Sequence, residues 1–325
     1  MQTEMIWQAM PEKLRKILPR PLLAELQEVR LRCGQPVLLK TAAGCFSLSE
    51  EGRLLPSPWK DGIRISAADL RETVAILSGY SLYAFEEELR QGYLTIDGGH
   101  RVGFCGKAVL EKGELRTLRQ INALNIRIAR EQKGWGEEIL PWLMEGDAFC
   151  HTLLVSPPGC GKTTLLREII RCLSERGRTV GVVDERGEVA PLRDGIPQMD
   201  VGPCTDVLEG CPKAQGIMLL LRSMAPEVIA ADELGRKEDI AAVEEALYAG
   251  VKLIATAHGR DLADLKTRPQ LHLLTEKKIF ERYVFLSGRK GVGTVEDILD
   301  REGGSVMTGK RKRGREGCCE ESERS

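Results

Sequence analysis

The stretch from Thr152 to Arg167, TLLVSPPGCGKTTLLR, constrains this chain more than any other. A short apolar run breaks at Ser156-Pro157-Pro158 and turns through Gly159 and Gly161. From Lys162 it takes up the apolar spacing of a helix. A strand delivered into a helix by a glycine turn is half of a βαβ unit, and such units build parallel sheets covered on both faces. The residues that follow keep this rhythm. Short apolar strands are expected at His151–Val155, Thr179–Val183, Val228–Ala231, Val251–Thr256 and Arg282–Leu286. Helices are expected at Lys162–Glu175, Lys213–Met224 and Lys237–Ala249.

The glycine turn also has a chemistry. Ser156, Pro157, Pro158, Gly159, Cys160, Gly161, Lys162 and Thr163, with Thr164 behind them, approximate the Walker A pattern G-x-x-x-x-G-K-[ST]. Backbone N–H groups from Gly159 to Thr163 can curl around a β-phosphate, helped by the positive end of the helix. Pro157 and Pro158 have no N–H and only stiffen the approach. Lys162 can reach β- and γ-phosphates, and the Thr163 hydroxyl suits Mg²⁺. Ser156 stands where the pattern has its first glycine. There it would cost about 1–2 kcal/mol if φ had to be positive, and little if it simply ends a strand.

Pro226–Glu233, PEVIAADE, is an apolar strand ending in two acids, the Walker B arrangement. Asp232 is expected to hold Mg²⁺ and Glu233 to orient and deprotonate an attacking water. LIATAHG places Thr256 and His258 where a strand emits its loop, and His258 is read as a γ-phosphate or water sensor. VVDERGE carries Asp184, Glu185 and Glu188 past another strand end. They either help position Mg²⁺ or water, or form a capping cluster. The implied ligands are ATP and Mg²⁺.

Toward the N-terminus the pattern changes. Residues 1–132 read as a smaller α+β domain: helical turns around Leu14, Leu18 and Leu22, a hairpin from Glu28–Arg32 to Val37–Lys40, a helix at Ala68–Leu77 capped by Ser66. Period-two strands follow at Tyr93–Ile96, Arg101–Leu110 and Leu124–Ala129. Residues 133–146, with Gly134-Trp135-Gly136, are expected to be a linker, 147–301 the P-loop domain, and 302–325 a disordered tail without apolar period. Ten cysteines show no C-x-x-C pair and are read as reduced thiols, mostly core filler. No apolar run approaches the roughly 20 residues of a membrane span, and the N-terminus lacks the order of a signal peptide, so a cytosolic chain is expected.

The four strand ends, Gly161–Thr163, Asp184–Glu188, Asp232–Glu233 and His258, resemble in turn the Walker A, Asp box, Walker B and His box of type II and type IV secretion ATPases. The strings SGYSLYAFEEELRQGYLTIDGGHRVGFCGKAV, LNIRIARE, SPPGCGKTTLLRE and VVDERGEVA are similar to the stage III sporulation AA family of such ATPases, over about residues 10–300. The resemblance implies a RecA-like P-loop domain with a mostly parallel sheet and an ATPase motor serving the sporulation channel between mother cell and forespore. It also implies a hexameric ring held at the membrane by inner-membrane partners. In secretion ATPases, N-terminal-domain arginines reach nucleotide phosphate, and here Arg127 and Arg130 are the candidates, with Arg119 and Arg101 behind them. The alternative for each is a solvated strand face.

Two other functions use the same core. A nucleic-acid-stimulated translocase would want a basic surface, but Lys+Arg of 47 against Asp+Glu of 48 gives a net charge of −1, and Lys310–Arg313 sits in a tail of mixed charge, so no DNA partner is expected. A nucleotide-gated scaffold would not need the general base that Glu233 supplies.

Overall fold

The computed structural model describes residues 4–80, 89–90, 92–130 and 132–307. The chain divides into two compact units. One is Met1–Arg130 with Arg193–Gln198, and the other is Glu131–Leu192 with Met199–Ser325.

The first unit is built on an antiparallel seven-stranded sheet. Its order is Leu54–Leu55, Gly44–Leu48, Leu38–Thr41, Glu28–Arg32, Glu114–Arg127, His100–Glu111, Tyr93–Ile96. Alternation buries Val29 and Leu31, Val102 and Phe104, Leu124 and Ile126 together with Ile6, Leu14, Leu70 and Val74 from the helices. Helix Ala67–Leu77 starts with a capping box between Ser66 and Asp69, as the sequence predicts, one residue early. The strand expected at Leu124–Ala129 is instead the end of a longer one. It pairs with His100–Glu111 through a turn in which Lys112 and Gly113 both have positive φ, the twist that suits a two-residue hairpin. The Arg193–Gln198 excursion, which no sequence signal marked, is held in this unit by Arg193 paired with Asp97 at 2.7 Å and by Gln198 accepting from Gly98 N at 3.2 Å.

The second unit holds the other seven-stranded sheet, ordered Thr205–Glu209, Val180–Asp184, Val228–Ala231, Lys252–His258, Thr152–Ser156, Arg282–Ser287, Thr294–Asp300. All pairs are parallel except the last. Alternate residues face opposite cores. Leu154, Val182, Ala230 and Ile254 pack with Leu165, Ile169 and Leu173 of helix Lys162–Glu175. Val155, Val183, Ile229 and Leu253 pack with Ile217, Val243 and Leu274 from the helices on the other face. The strands at Thr205–Glu209 and Thr294–Asp300 were not foreseen, because as edge strands both are only half-buried and lack a continuous apolar run.

Three expectations are corrected. Residues 133–146 are not a free linker. Gly134, at φ 92, precedes a helix, Trp135–Ile139, whose Gly136 lies so close to helix Lys162–Glu175 that a Cβ would come 2.7 Å from the Glu168 carbonyl. Glu168 also accepts from Gly134 N at 2.9 Å, so these residues are part of the second unit's core. The tail starts later than 302: Val306 and Met307 pack on that core and Ser305 Oγ donates to Asp297 at 2.6 Å, while 308–325 lie outside the described residues. The cysteines are not mainly core filler. Cys150 and Cys172 are buried, but Cys33, Cys45 and Cys105 are exposed.

Candidate functional site

Because the central strands are parallel, their carboxyl ends share one edge of the sheet, and residues far apart in sequence meet there. Register puts Ser156 beside His258 and Ala231 beside Ala255, so Asp232 and Glu233 emerge next to the P-loop strand's neighbour. The His258 strand therefore lies between the strands carrying the two nucleotide motifs.

Ser156 is the last residue of its strand, fully buried and without positive φ, so the missing glycine carries no backbone penalty. The left-handed turns fall at Gly159 (φ 74) and Gly161 (φ 86), where a side chain would be strained. Gly161 precedes helix Lys162–Glu175, and Thr163 and Thr164 stand half-buried in its first turn. Pro158 and Gly159 are exposed, and Pro157 and Cys160 are half-buried, at the front of the loop.

Lys162 folds back over the loop. Its Nζ donates to Ser156 O at 3.0 Å, Ser156 Oγ at 3.2 Å and Pro157 O at 3.3 Å, and lies 3.1 Å from His258 Nδ1. Burial pulls its ammonium below the usual lysine value, against the opposing charges of Asp232 and Glu233. Lysine Nζ only donates here, so His258 Nδ1 must accept. The imidazole proton then sits on Nε2, 3.3 Å from Glu233 Oε1. His258 thus joins Lys162 to Glu233, the expected general base.

Thr163 Oγ1 donates to Asp232 Oδ2 at 3.2 Å, which places a hydroxyl and a carboxylate side by side. Thr256 is the hub of the acidic pair. Its hydroxyl donates to Asp232 Oδ1 and accepts from Glu233 N at 2.8 Å, while its carbonyl accepts from Leu234 N at 2.8 Å. These bonds hold Glu233 at φ 49, a left-handed conformation that costs a non-glycine residue about 1–2 kcal/mol. Strain of this kind, held by surrounding bonds, aims a side chain.

The Asp184–Glu188 loop separates into distinct roles that the sequence left open. Asp184 is buried, 1% exposed, and accepts from the N–H groups of Glu188 (2.9 Å), Val189 (2.9 Å) and Ala190 (2.8 Å). Burial raises its carboxyl above the usual range despite those three donors. Asp184, expected at the ligand, has its oxygens engaged in folding the loop, and Arg167 closes the other side by donating to Glu188 O at 2.8 Å and Val189 O. Glu185, also expected at the ligand, pairs with Lys213 and with Arg236 at 3.3 Å. Burial alone would raise its carboxyl, but the Lys213 bond and the surrounding cations leave it below its ordinary value. The residue that does reach the site is Arg186, whose Nη1 lies 3.0 Å from Glu233 Oε2. Its one sequence signal was its position on a strand-end loop.

Arg127 and Arg130 belong to the first unit. Arg127 is exposed and in register with Arg101 and Glu28. Arg130 donates to Leu26 O at 2.7 Å, and Arg101 sits 3.5 Å over the Tyr93 ring. Arg119 is exposed on the same hairpin. Buried His100 accepts from Ala129 N at 3.0 Å and holds the sheet.

The edge of the second sheet therefore gathers a lysine at a helix N-terminus, a hydroxyl–carboxylate pair, and a carboxylate held by an imidazole and a guanidinium. These are the groups that phosphoryl transfer to water requires. The family described as sporulation stage III, protein AA matches residues 1–306. Stage III sporulation protein AA of Bacillus subtilis (strain 168) is 43% identical over 307 residues, 92% of this chain and 95% of that protein. The Legionella pneumophila ATPase DotB superposes with a TM-score of 0.53 at 18% identity, over 94% of this chain and 88% of that one. The Yersinia pseudotuberculosis ATPase DotB gives 0.55 at 13% identity, over 85% and 76%. At such identities the likeness shows the fold alone, a mixed α/β architecture.

Proposed function

The chain belongs to the sporulation stage III, protein AA family, and on that premise we propose that it is a Mg-ATP hydrolase. In this reading it is a motor that powers assembly of, or transport through, a membrane-embedded secretion-like channel during sporulation. It works as a homo-oligomeric ring, hexameric like the motors its sequence resembles, with inner-membrane components as partners. Among the described residues no helix is long and apolar enough to cross a membrane.

The observation that carries the reading is the continuous bonded cluster Lys162, His258, Glu233, Thr256, Asp232 and Thr163. ATP would lie along the Ser156–Thr164 loop, with Lys162 exchanging its contacts to Ser156 and Pro157 for phosphate oxygens. Thr163 and Asp232 are the hard oxygen donors for Mg²⁺. An Mg²⁺ ion held there would complete its shell from phosphate and water. When bound, the ion would neutralise charge on the phosphates. Glu233, aimed by its left-handed backbone, takes the proton of the attacking water, and His258 holds the carboxylate in place. Arg127 or Arg130 would supply the finger that stabilises charge on the transferred group.

The test is ATP turnover by the purified full chain, alone and with cytosolic parts of candidate membrane partners. Turnover that disappears in Lys162→Ala supports the reading. A parental rate in that variant overturns it.

A further inference from the structure

Next to Glu233 and His258 lies a cavity of about 280 Å³ whose lining does not include Lys162. Its walls include Arg186, Lys213, Arg236 and Arg268, together with Glu233 and His258. The lining thus carries four basic side chains and one carboxylate. Behind them Glu185 is shared between Lys213 and Arg236, and Asp264 stands 3.8 Å from Arg268, so the group keeps a net positive charge. That volume is ample for a small hydrated anion. Glu233 and His258 are common to this cavity and to the Lys162 cluster, so whatever is produced at the cluster is already at the cavity's mouth.

We propose that this cavity is a product site for inorganic phosphate, through which phosphate leaves the nucleotide site. The inference rests on the hydrolytic reading above. In hydrolysis the water oxygen bonds to the γ-phosphorus, the bridging P–O bond breaks with its electron pair going to ADP, and the water's proton goes to Glu233. While Glu233 carries that proton, the negative charge 3.0 Å from Arg186 Nη1 is gone. The cavity becomes more positive by one charge at the moment an anion is formed beside it. Loss of that charge adds to the attraction of the whole cationic lining for the product.

The test is binding of inorganic phosphate to the full chain by calorimetry, with and without saturating ADP, in the parent, Arg268→Gln and Arg268→Lys. Phosphate is expected to bind equally well with ADP present, and Arg268→Gln to weaken it about tenfold or more. Arg268→Lys should recover most of that loss. ADP affinity in each variant reports that the phosphate-binding loop is folded. Phosphate displaced by ADP, no phosphate binding, or binding indifferent to Arg268→Gln would overturn the proposal. If ADP binds and ATP turns over while phosphate fails these criteria, the inference falls and the hydrolase reading stands. If phosphate meets them but ATP is not hydrolysed, the anion site stands and the hydrolase reading falls.

Discussion

Thr256 offers the sharpest test of how the site is held together. Its side chain is fully buried, and its one hydroxyl serves both Asp232 Oδ1 and the Glu233 N–H. Thr256→Val keeps the shape and removes both bonds. A bond to a charged acceptor is worth about 1.5–3 kcal/mol, and an abandoned buried N–H costs about 1–3 kcal/mol. Asp232 and Glu233 are only half-buried, so water recovers part of this, and a loss of about 2–3 kcal/mol is expected. For a unit of this size that is a drop of roughly 5–10 °C in its melting temperature. Thr256→Ser, which keeps the hydroxyl and loses a methyl, should cost only about 1 kcal/mol. Turnover should separate the two variants further. Without the hydroxyl the Glu233 N–H loses its anchor and only the Leu234 N bond to the Thr256 carbonyl still holds the left-handed turn, so a misaimed base should lower the rate by about 10²-fold. Thermal melts and ATPase rates of both variants settle the matter. If Thr256→Val melts and turns over like Thr256→Ser, the hydroxyl is not the hub described here.

Four further outcomes are expected. Lys162→Ala should leave the fold intact but weaken ATP binding by about tenfold or more, read by nucleotide titration, since a charge-assisted phosphate contact is lost. Glu233→Gln should bind ATP and hold it, with turnover reduced by about 10²-fold in a single-turnover assay, because the amide orients water but cannot take its proton. Arg127→Ala should lower turnover by about 10³-fold with ATP affinity nearly unchanged if it is the finger, and a silent variant would pass that role to Arg130 or remove it from the first unit. Burial, with Lys252 and Arg301 adding to it against Glu281, pushes the His151 imidazole from its ordinary 6.5 down to about 4. The unfolded chain then binds this proton before the folded one. The contribution of His151 is full above about pH 6.5 and lost progressively as pH falls toward 4. Its Nδ1 accepts Leu253 N at 3.2 Å, a bond that protonation would break. Urea melts of His151→Gln should be flatter than the parent's across that window.

The sequence by itself determined the second unit's central strands, their parallel direction and the residues at their ends. Buried parallel strands must be apolar throughout, and a phosphate loop needs its glycines and lysine in a fixed local order. Those are short-range requirements, and they are written in adjacent residues. Helix Lys162–Glu175 and strand Val228–Ala231 fall where their periodicity places them. The tertiary structure alone decided which polar groups face each other. Asp184 looks like a ligand in sequence, and only the fold of its own loop shows three N–H groups converging on it. Arg186 stands in sequence only as a member of a strand-end loop, and the fold brings Glu233 to 3.0 Å from it from a strand far along the chain. Gly134–Gly136 reads as a linker because glycines are ambiguous locally, and its close packing on Glu168 depends on a helix that follows much later. Hydrogen-bond partners across a sheet edge are set by strand order and register, and these emerge from the summed packing of two cores and not from any single segment.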